Sequence, residues 1–182
     1  MKQMFVITCL AFAFASCNNA ATTKTSTDST GTTTKTTADP ELPFKLEKPY
    51  KNWQMGSNQN VITAMAALKA FVDKDYTALA STLGDTVAIR MDYYTDKISR
   101  DSAIKIFTGA RAMYNDLAVT MYDYESVIAA DKSEEYVTIW YKETWKNEKG
   151  VADSLSIVND FKMKNDKIIE LDEKLQHFPA KK

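Results

Sequence analysis

The feature that most constrains the fold is a long stretch of period-two alternation towards the C-terminus. From Leu117 onward apolar and polar residues alternate, most densely in YVTIWYKETW–KNEKG–VADSLSIVNDF within Glu134–Phe178. Side chains that alternate in this way lie on opposite faces of a β-strand. The breaks in the pattern have turn-forming compositions. The pattern therefore predicts four strands joined by hairpins, near residues 118–129, 136–146, 151–163 and 168–176.

The register of the central hairpin depends on its turn, residues 147–150. If the turn is even, Ile139 faces Val158; if the turn carries a bulge, Ile139 faces Asn159. Because a one-residue slip exchanges the two faces of a strand, the sequence leaves both registers open.

Upstream of the strands the apolar period changes to that of a helix. Val61, Met65, Leu68 and Val72 follow helical spacing and predict a helix over 60–74. Shorter patterns predict a helix over 76–83, a half-buried strand over 86–94 and a helix over 102–115. Consecutive hairpins make a mainly antiparallel sheet, and the helices must cover one of its faces. The fold class is α+β.

The N-terminus has the pattern of an export signal. Lys2 precedes an apolar run of about a dozen residues, which fits a signal peptide and is too short to span a bilayer. The run ends in Phe14-Ala15-Ser16-Cys17, which resembles a bacterial lipobox except that Phe14 replaces the usual Leu. The alternative is cleavage after Ala13-Phe14-Ala15, which would leave Cys17 as a free thiol.

Cysteine usage favours lipidation of Cys17. Cys9 lies inside the leader and Cys17 ends it, so the rest of the chain has no cysteine and uses no disulfide. The Thr-rich segment that follows has no large apolar residue to bury and is typical of a flexible tether. We therefore expect a lipid anchor in a membrane of the bacterial cell envelope, with the folded part facing the periplasm or the exterior.

Several segments together resemble a known superfamily. They are Ala-Leu-Lys-Ala-Phe-Val-Asp-Lys-Asp (67–75), Leu-Gly-Asp-Thr-Val (83–87) before a strand, Val-Thr-Ile-Trp (137–140), the turn at Lys149-Gly150, and Asn-Asp-Lys-Ile-Ile (165–169) before the last strand. Their order resembles the NTF2-like superfamily, in its SnoaL-like or ketosteroid-isomerase-like bacterial branch. The predicted segments are then a signal peptide (1–16), an anchored tether and extended approach (17–57), an NTF2-like domain (58–178) and a tail (179–182).

The resemblance implies an NTF2-like (cystatin-like) cone, in which a curved sheet wraps the helices and an open end forms a pocket. Members of the superfamily include isomerases, cyclases and hydrolases, and many others that only bind ligands or serve in assemblies; fold alone does not choose among these. Many members are dimers, so a homodimer through the outer face of the sheet is expected. A monomer over a wide range of concentration would contradict it.

Enzymes of this superfamily use a pocket carboxylate as general base, whose pKa rises in an apolar site. None of the acids here falls on a catalytic motif of the superfamily, and acids are rarely buried, so a solvated outer face is the expectation for each. The candidates are Asp92, Glu125, Glu143, Asp160 and Asp172.

Aromatic residues crowd the predicted strands and suit a small apolar or ring-bearing ligand. They also favour strands in general, and a core or a dimer face would absorb them equally well. The residues predicted to line a pocket are Asp92, Tyr93, Tyr122, Tyr124, Trp140, Trp145 and Phe161.

Other chemistry is disfavoured by the sequence. His177 is the single histidine and has no cysteine nearby, so a His/Cys metal site cannot be assembled. The five glycines form no phosphate loop, and no cofactor is predicted. With 23 basic and 24 acidic residues and no basic cluster, nucleic acid is not an expected partner.

Overall fold

The computed structural model describes residues 42–147 and 149–178. The predicted signal peptide (1–16), Cys17, the tether as far as residue 41 and the tail (179–182) lie outside the described residues.

Seven strands form a single curved sheet, and three helices cover one of its faces. In chain order the elements are β1 (Gln54–Met55), α1 (Asn58–Asp73), α2 (Tyr76–Thr82), β2 (Leu83–Met91), β3 (Tyr94–Ser99), α3 (Arg100–Ala112), β4 (Asn115–Ile128), β5 (Glu135–Lys146), β6 (Ala152–Lys164) and β7 (Lys167–His177). The strand order is β1-β4-β5-β6-β7-β2-β3. All neighbours are antiparallel except β2 and β7, which are parallel. The α+β class and the mainly antiparallel sheet are confirmed.

Local caps fix where the helices begin and end. The Ser57 hydroxyl accepts a hydrogen bond from the backbone N–H of Gln59 (3.1 Å) at the start of α1, and Asp75 Oδ1 accepts from Ala78 (2.9 Å) at the start of α2. Lys74, with φ of 62°, ends α1 in the left-handed conformation. The two helices are thus joined by a tight corner and pack together on the sheet.

A buried arginine ties α3 to the end of α1. Arg111 is only 6% exposed, and its guanidinium donates to the carbonyl of Val72 (3.1 Å from Nε and 3.0 Å from Nη2) and to that of Tyr114 (2.6 Å from Nη1). A buried charge needs such partners to offset its lost hydration. The three hydrogen bonds therefore satisfy backbone carbonyls at the ends of α1 and α3.

The strand predicted over 86–94 was wrong at its end, and a strand after it was missed. β2 stops at Met91, Asp92 and Tyr93 form the turn, and Tyr94–Ser99 returns as β3, pairing Met91 with Tyr94. β3 is an edge strand with mostly exposed residues, so hydrophobic alternation could not reveal it.

The central hairpin adopts the second of the two registers. Ile139 pairs with Asn159 and Tyr141 with Ile157. The turn is closed by Asn147, whose N–H donates to the carbonyl of Val151 (2.9 Å), and Gly150 adopts φ of 75°. This register turns the odd-numbered residues of β5, from Val137 to Glu143, towards the helices, where all are buried.

The junction between β1 and α1 depends on a glycine. A Cβ on Gly56 would lie 2.3 Å from Ser126 Oγ and 2.9 Å from the backbone nitrogen of Val127. We expect Gly56→Ala to lower the free energy of unfolding by about 1–3 kcal/mol, because the backbone of β4 must shift. Gly109→Ala is the control: nothing lies within 4 Å of its Cβ position in α3, so a gain of about 0.5–1 kcal/mol is expected. Urea denaturation measures both, and an unchanged Gly56→Ala variant would contradict the tight contact.

Candidate functional site

A cavity of about 180 Å³ lies between the helices and the inner face of the sheet. Most of its wall is apolar. The helices contribute Ala67, Leu68, Phe71, Leu79, Phe107 and Ala110, and the strands contribute Leu83, Val87, Met91, Leu155, Ile157, Phe161, Ile168, Leu171 and Leu175.

Five polar side chains interrupt this apolar wall: Tyr114, Tyr141, Glu143, Asn159 and Glu173. Tyr141 and Asn159 are 2% and 5% exposed, and Asn159 Nδ2 donates a hydrogen bond to the Tyr141 hydroxyl (3.0 Å). The other polar atom of that amide, Asn159 Oδ1, is buried and has no hydrogen-bond partner within the described residues. Because an unpaired buried oxygen is costly, this atom is a candidate contact for a bound molecule.

Three adjacent strands bring four of these groups together. Tyr141 and Glu143 lie two residues apart on the inner face of β5, Asn159 lies on β6, and Glu173 pairs directly with Asn159 from β7. Paired residues of an antiparallel sheet have Cβ atoms about 5 Å apart, and residues i and i+2 of a strand lie about 7 Å apart. The sheet therefore gathers the polar groups into one patch within the cavity.

The two carboxyl groups of this patch hold protons unusually tightly. The pKa of Glu143 is raised from 4.5 to about 7, mainly by burial and also by the charge of Glu173, while the charge of Arg111 acts in the opposite direction. Burial likewise raises the pKa of Glu173 to about 7, with a smaller contribution from Asp92. Burial also raises the pKa of Tyr141 and of Tyr114. Near neutral pH each carboxyl group can therefore donate or accept a proton.

Of the seven residues predicted to line a pocket, Phe161 is part of the described cavity lining. Asp92 and Tyr93 lie in the turn between β2 and β3, where Tyr93 is 99% exposed. Trp140 pairs with Val158 on the opposite face of the sheet from Ile139, and Trp145 packs edge-on against Tyr114 with ring centroids 5.1 Å apart.

The two tyrosines of β4 are about half exposed. A shift of register between Met121 and Asp123 leaves Tyr122 without a paired residue in β5, and Tyr124 pairs with Ile139 towards the edge of the sheet. A bulge of this kind re-aims its side chain away from the regular alternation. Counting alternate residues in the sequence could not place either tyrosine.

Of the five candidate acids, Glu143 lies in the cavity, against the expectation of a solvated face. Asp160 accepts hydrogen bonds from Thr138 (2.6 Å) and Lys174 (2.6 Å) on the outer face, and Asp172 lies 3.4 Å from Lys174. Glu125 is exposed on β4 and Asp92 is exposed in its turn.

Sequence reasoning missed Glu173 and Asn159. A usable signal was present, because Glu173 lies between Leu171 and Leu175 at the same period of two, and Asn159 lies likewise between Ile157 and Phe161. A polar residue that takes an inward position of a strand is the exception that marks a site.

Two further findings concern the described part of the chain alone. Residues 42–147 and 149–178 hold no group of three or more His, Cys, Asp or Glu side chains placed to bind a metal ion. No helix in these ranges is both long and apolar enough to cross a membrane.

No protein-family model matches this sequence, and no curated protein matches it significantly. Solved structures do match the fold. An NTF2-like protein of unknown function from Burkholderia pseudomallei superposes with a TM-score of 0.56 at 12% identity, covering 66% of this chain and 92% of that one. The domain has the NTF2-like fold.

Two other solved structures share the NTF2-like fold with this chain. An LEH-like epoxide hydrolase from M. tuberculosis has a TM-score of 0.53 at 11% identity, covering 66% of this chain and 84% of that one. A hypothetical protein with a ketosteroid-isomerase-like fold from Catenulispora acidiphila, in complex with trimethylamine, has a TM-score of 0.51 at 13% identity, covering 62% of this chain and 83% of that one. At these identities the likeness shows the NTF2-like fold alone.

Proposed function

We propose that this protein is a lipoprotein of the bacterial cell envelope whose NTF2-like domain binds a small, largely apolar molecule without transforming it. The observation that carries the proposal is the cavity, an apolar space with a few convergent polar groups. A cavity of about 150 Å³ in another protein holds benzene, so about 180 Å³ suits a six-membered ring with a short substituent.

Anchoring and location rest on the N-terminal sequence. A lipidated Cys17, followed by a Thr-rich tether, would hold the domain near a membrane on its periplasmic or outer side. The homodimer through the outer face of the sheet stays a prediction.

Binding is tested with toluene as the probe, monitored by two-dimensional amide NMR. We expect saturable shifts of inward-facing residues such as Ile157 and Leu171, because the probe fills the cavity. Ala67→Leu should weaken binding at least tenfold, since the added side chain occupies the same space. Ala66→Leu, on the exposed side of the same helix, is the matched control and should bind as the wild type does. Shifts scattered over the surface, or equal affinity in both variants, would reject a cavity ligand.

A small enzyme of the isomerase or cyclase type is the second candidate. The observation that favours it is Glu143, a buried carboxyl group with a pKa of about 7 close to Tyr141. Such a group could remove a proton next to a carbonyl group, and Tyr141 could stabilise the resulting oxyanion. Cyclohexanone in D₂O distinguishes the two functions: accelerated deuterium uptake beside the carbonyl, lost in Glu143→Gln, would favour the enzyme over the binding protein.

A further inference from the structure

We propose that the cavity selects a ligand with an apolar ring and a positively charged ammonium group, which is bound by Glu143, Glu173 and Asn159 Oδ1. The inference rests on the proposed ligand-binding function and names the chemical class of the ligand. It follows from an imbalance between hydrogen-bond acceptors and donors in the polar patch.

The acceptors of the patch are largely unused. Within the described residues, neither Glu143 nor Glu173 has a hydrogen-bond or ion-pair partner, and Asn159 Oδ1 is buried without one. The unpaired amide oxygen is independent of the two acids, because Asn159 carries no charge and its Nδ2 is already held by Tyr141. Together these groups offer three acceptor sites on adjacent strands.

Donors near the patch are fewer and partly used. Each nitrogen of the Arg111 guanidinium donates one hydrogen bond to the carbonyl of Val72 or Tyr114, which accounts for three of its five N–H groups. Asn159 Nδ2 donates to the hydroxyl of Tyr141, which leaves the hydroxyl protons of Tyr141 and Tyr114 as the donors of the described lining. A primary ammonium group brings three donors and no acceptor, so it complements the patch.

Charge points to the same class of ligand. The groups whose charges act on the carboxyl pair are Tyr114 and Tyr141 from the lining, Asp92 from the turn after β2, and Arg111 from α3. His177 pairs with Leu155, the partner of Glu143, and is exposed at the end of β7. Tyr114, Tyr141 and Asp92 can carry only negative charge, and the guanidinium of Arg111 is held by backbone carbonyls. A bound cation would offset the repulsion between Glu143 and Glu173, whereas a carboxylate ligand would add to it.

The remainder of the cavity suits the ring. Phe71 and Phe107 lie edge to face with centroids 6.4 Å apart, and both line the cavity with Phe161. Aromatic side chains of this kind pack well against a six-membered ring.

The test compares benzylamine, toluene and benzoate, three probes of similar size that differ in charge. Isothermal titration at pH 8 should show benzylamine binding at least tenfold more tightly than toluene, with benzoate the weakest. In the double variant Glu143→Gln/Glu173→Gln we expect the preference for benzylamine to fall below threefold, while toluene still binds. Glu125→Gln, an exposed acid of β4, is the matched control and should keep the preference.

A second measurement needs no variant. Between pH 8 and pH 5 both carboxyl groups take up protons while benzylamine stays charged, so its affinity for the wild type should fall at least tenfold and that of toluene should not. Equal binding of benzylamine and toluene at pH 8 would overturn the inference that the ligand is a cation. The proposed binding of a small apolar molecule in the cavity would still stand. If none of the three probes binds, the proposed function itself fails.

Discussion

Glu143→Gln is expected to stabilise the folded domain by about 2 kcal/mol at pH 8 and by close to nothing at pH 4.5. The pKa of Glu143 is raised by burial from 4.5 to about 7. The carboxylate form is therefore disfavoured in the folded state, and a neutral amide of nearly the same shape removes that cost.

The sign of the pH dependence follows from which state binds the proton more tightly. Below pH 4.5 Glu143 is protonated in both states and has no effect. Between pH 4.5 and 7 the unfolded chain releases the proton first, so the stability of the wild type falls as the pH rises. Above pH 7 the folded state carries the full free-energy cost of the buried Glu143 carboxylate. A difference of 7 − 4.5 = 2.5 pKa units sets an upper bound of roughly 3 kcal/mol at 1.36 kcal/mol per unit.

Urea denaturation at pH 4.5, 6 and 8 measures this effect. Glu125→Gln is the matched control, since Glu125 is exposed on β4 and its replacement should change stability by less than about 0.5 kcal/mol at each pH. A Glu143→Gln variant that is destabilised at pH 8 would mean that the carboxylate is stabilised in the folded state, which the cavity wall does not provide.

Cys17→Ser is expected to move the protein from the membrane fraction to the soluble fraction of the exported material. A thioether-linked lipid needs the sulfur of Cys17, and the serine hydroxyl does not replace it in this processing. The several acyl chains of a bacterial lipoprotein anchor it stably, so the loss should be nearly complete. Fractionation of bacterial cells, together with incorporation of labelled palmitate, measures both anchoring and lipidation.

Cys9→Ser is the matched control for this experiment, because Cys9 lies inside the predicted leader. It should stay in the membrane fraction and incorporate the label. Retention of Cys17→Ser in the membrane with undiminished palmitate label would exclude Cys17 as the site of lipidation. Cleavage after Ala15 with a free thiol at Cys17 would instead give soluble protein from both variants and from the wild type.

The long elements could be predicted from sequence because each has a strong apolar period. The predicted strands over 136–146, 151–163 and 168–176 agree with β5, β6 and β7 to within one residue at every end. β1 has only two residues and could not be predicted from a period. β3 has only Tyr94 and Ile98 partly buried, so its formation depends on pairing with β2.

The site was harder to predict because it depends on register. The choice between Val158 and Asn159 as the partner of Ile139 is made by the turn at Asn147–Gly150, and that choice decides whether Asn159 faces the cavity. The sequence did not distinguish Glu143 from the other four candidate acids, because its burial depends on the fold. Two aromatic residues were predicted to line a pocket because they fit a strand pattern. In the structure Trp140 lies on the outer face of the sheet and Tyr93 lies in a turn.

The parallel pairing of β2 with β7 also determines when the domain can fold. β2 and β3 are synthesised early, yet they join the other strands only through β7, the last strand of the described chain. Leu83 pairs with Ile168, which is 168 − 83 = 85 positions later. Contacts so distant in sequence form slowly and cannot form before the ribosome has reached them. The leader predicted for this chain would be exposed to the export machinery long before the sheet closes, so the polypeptide would still be unfolded at the step that threads it through a membrane.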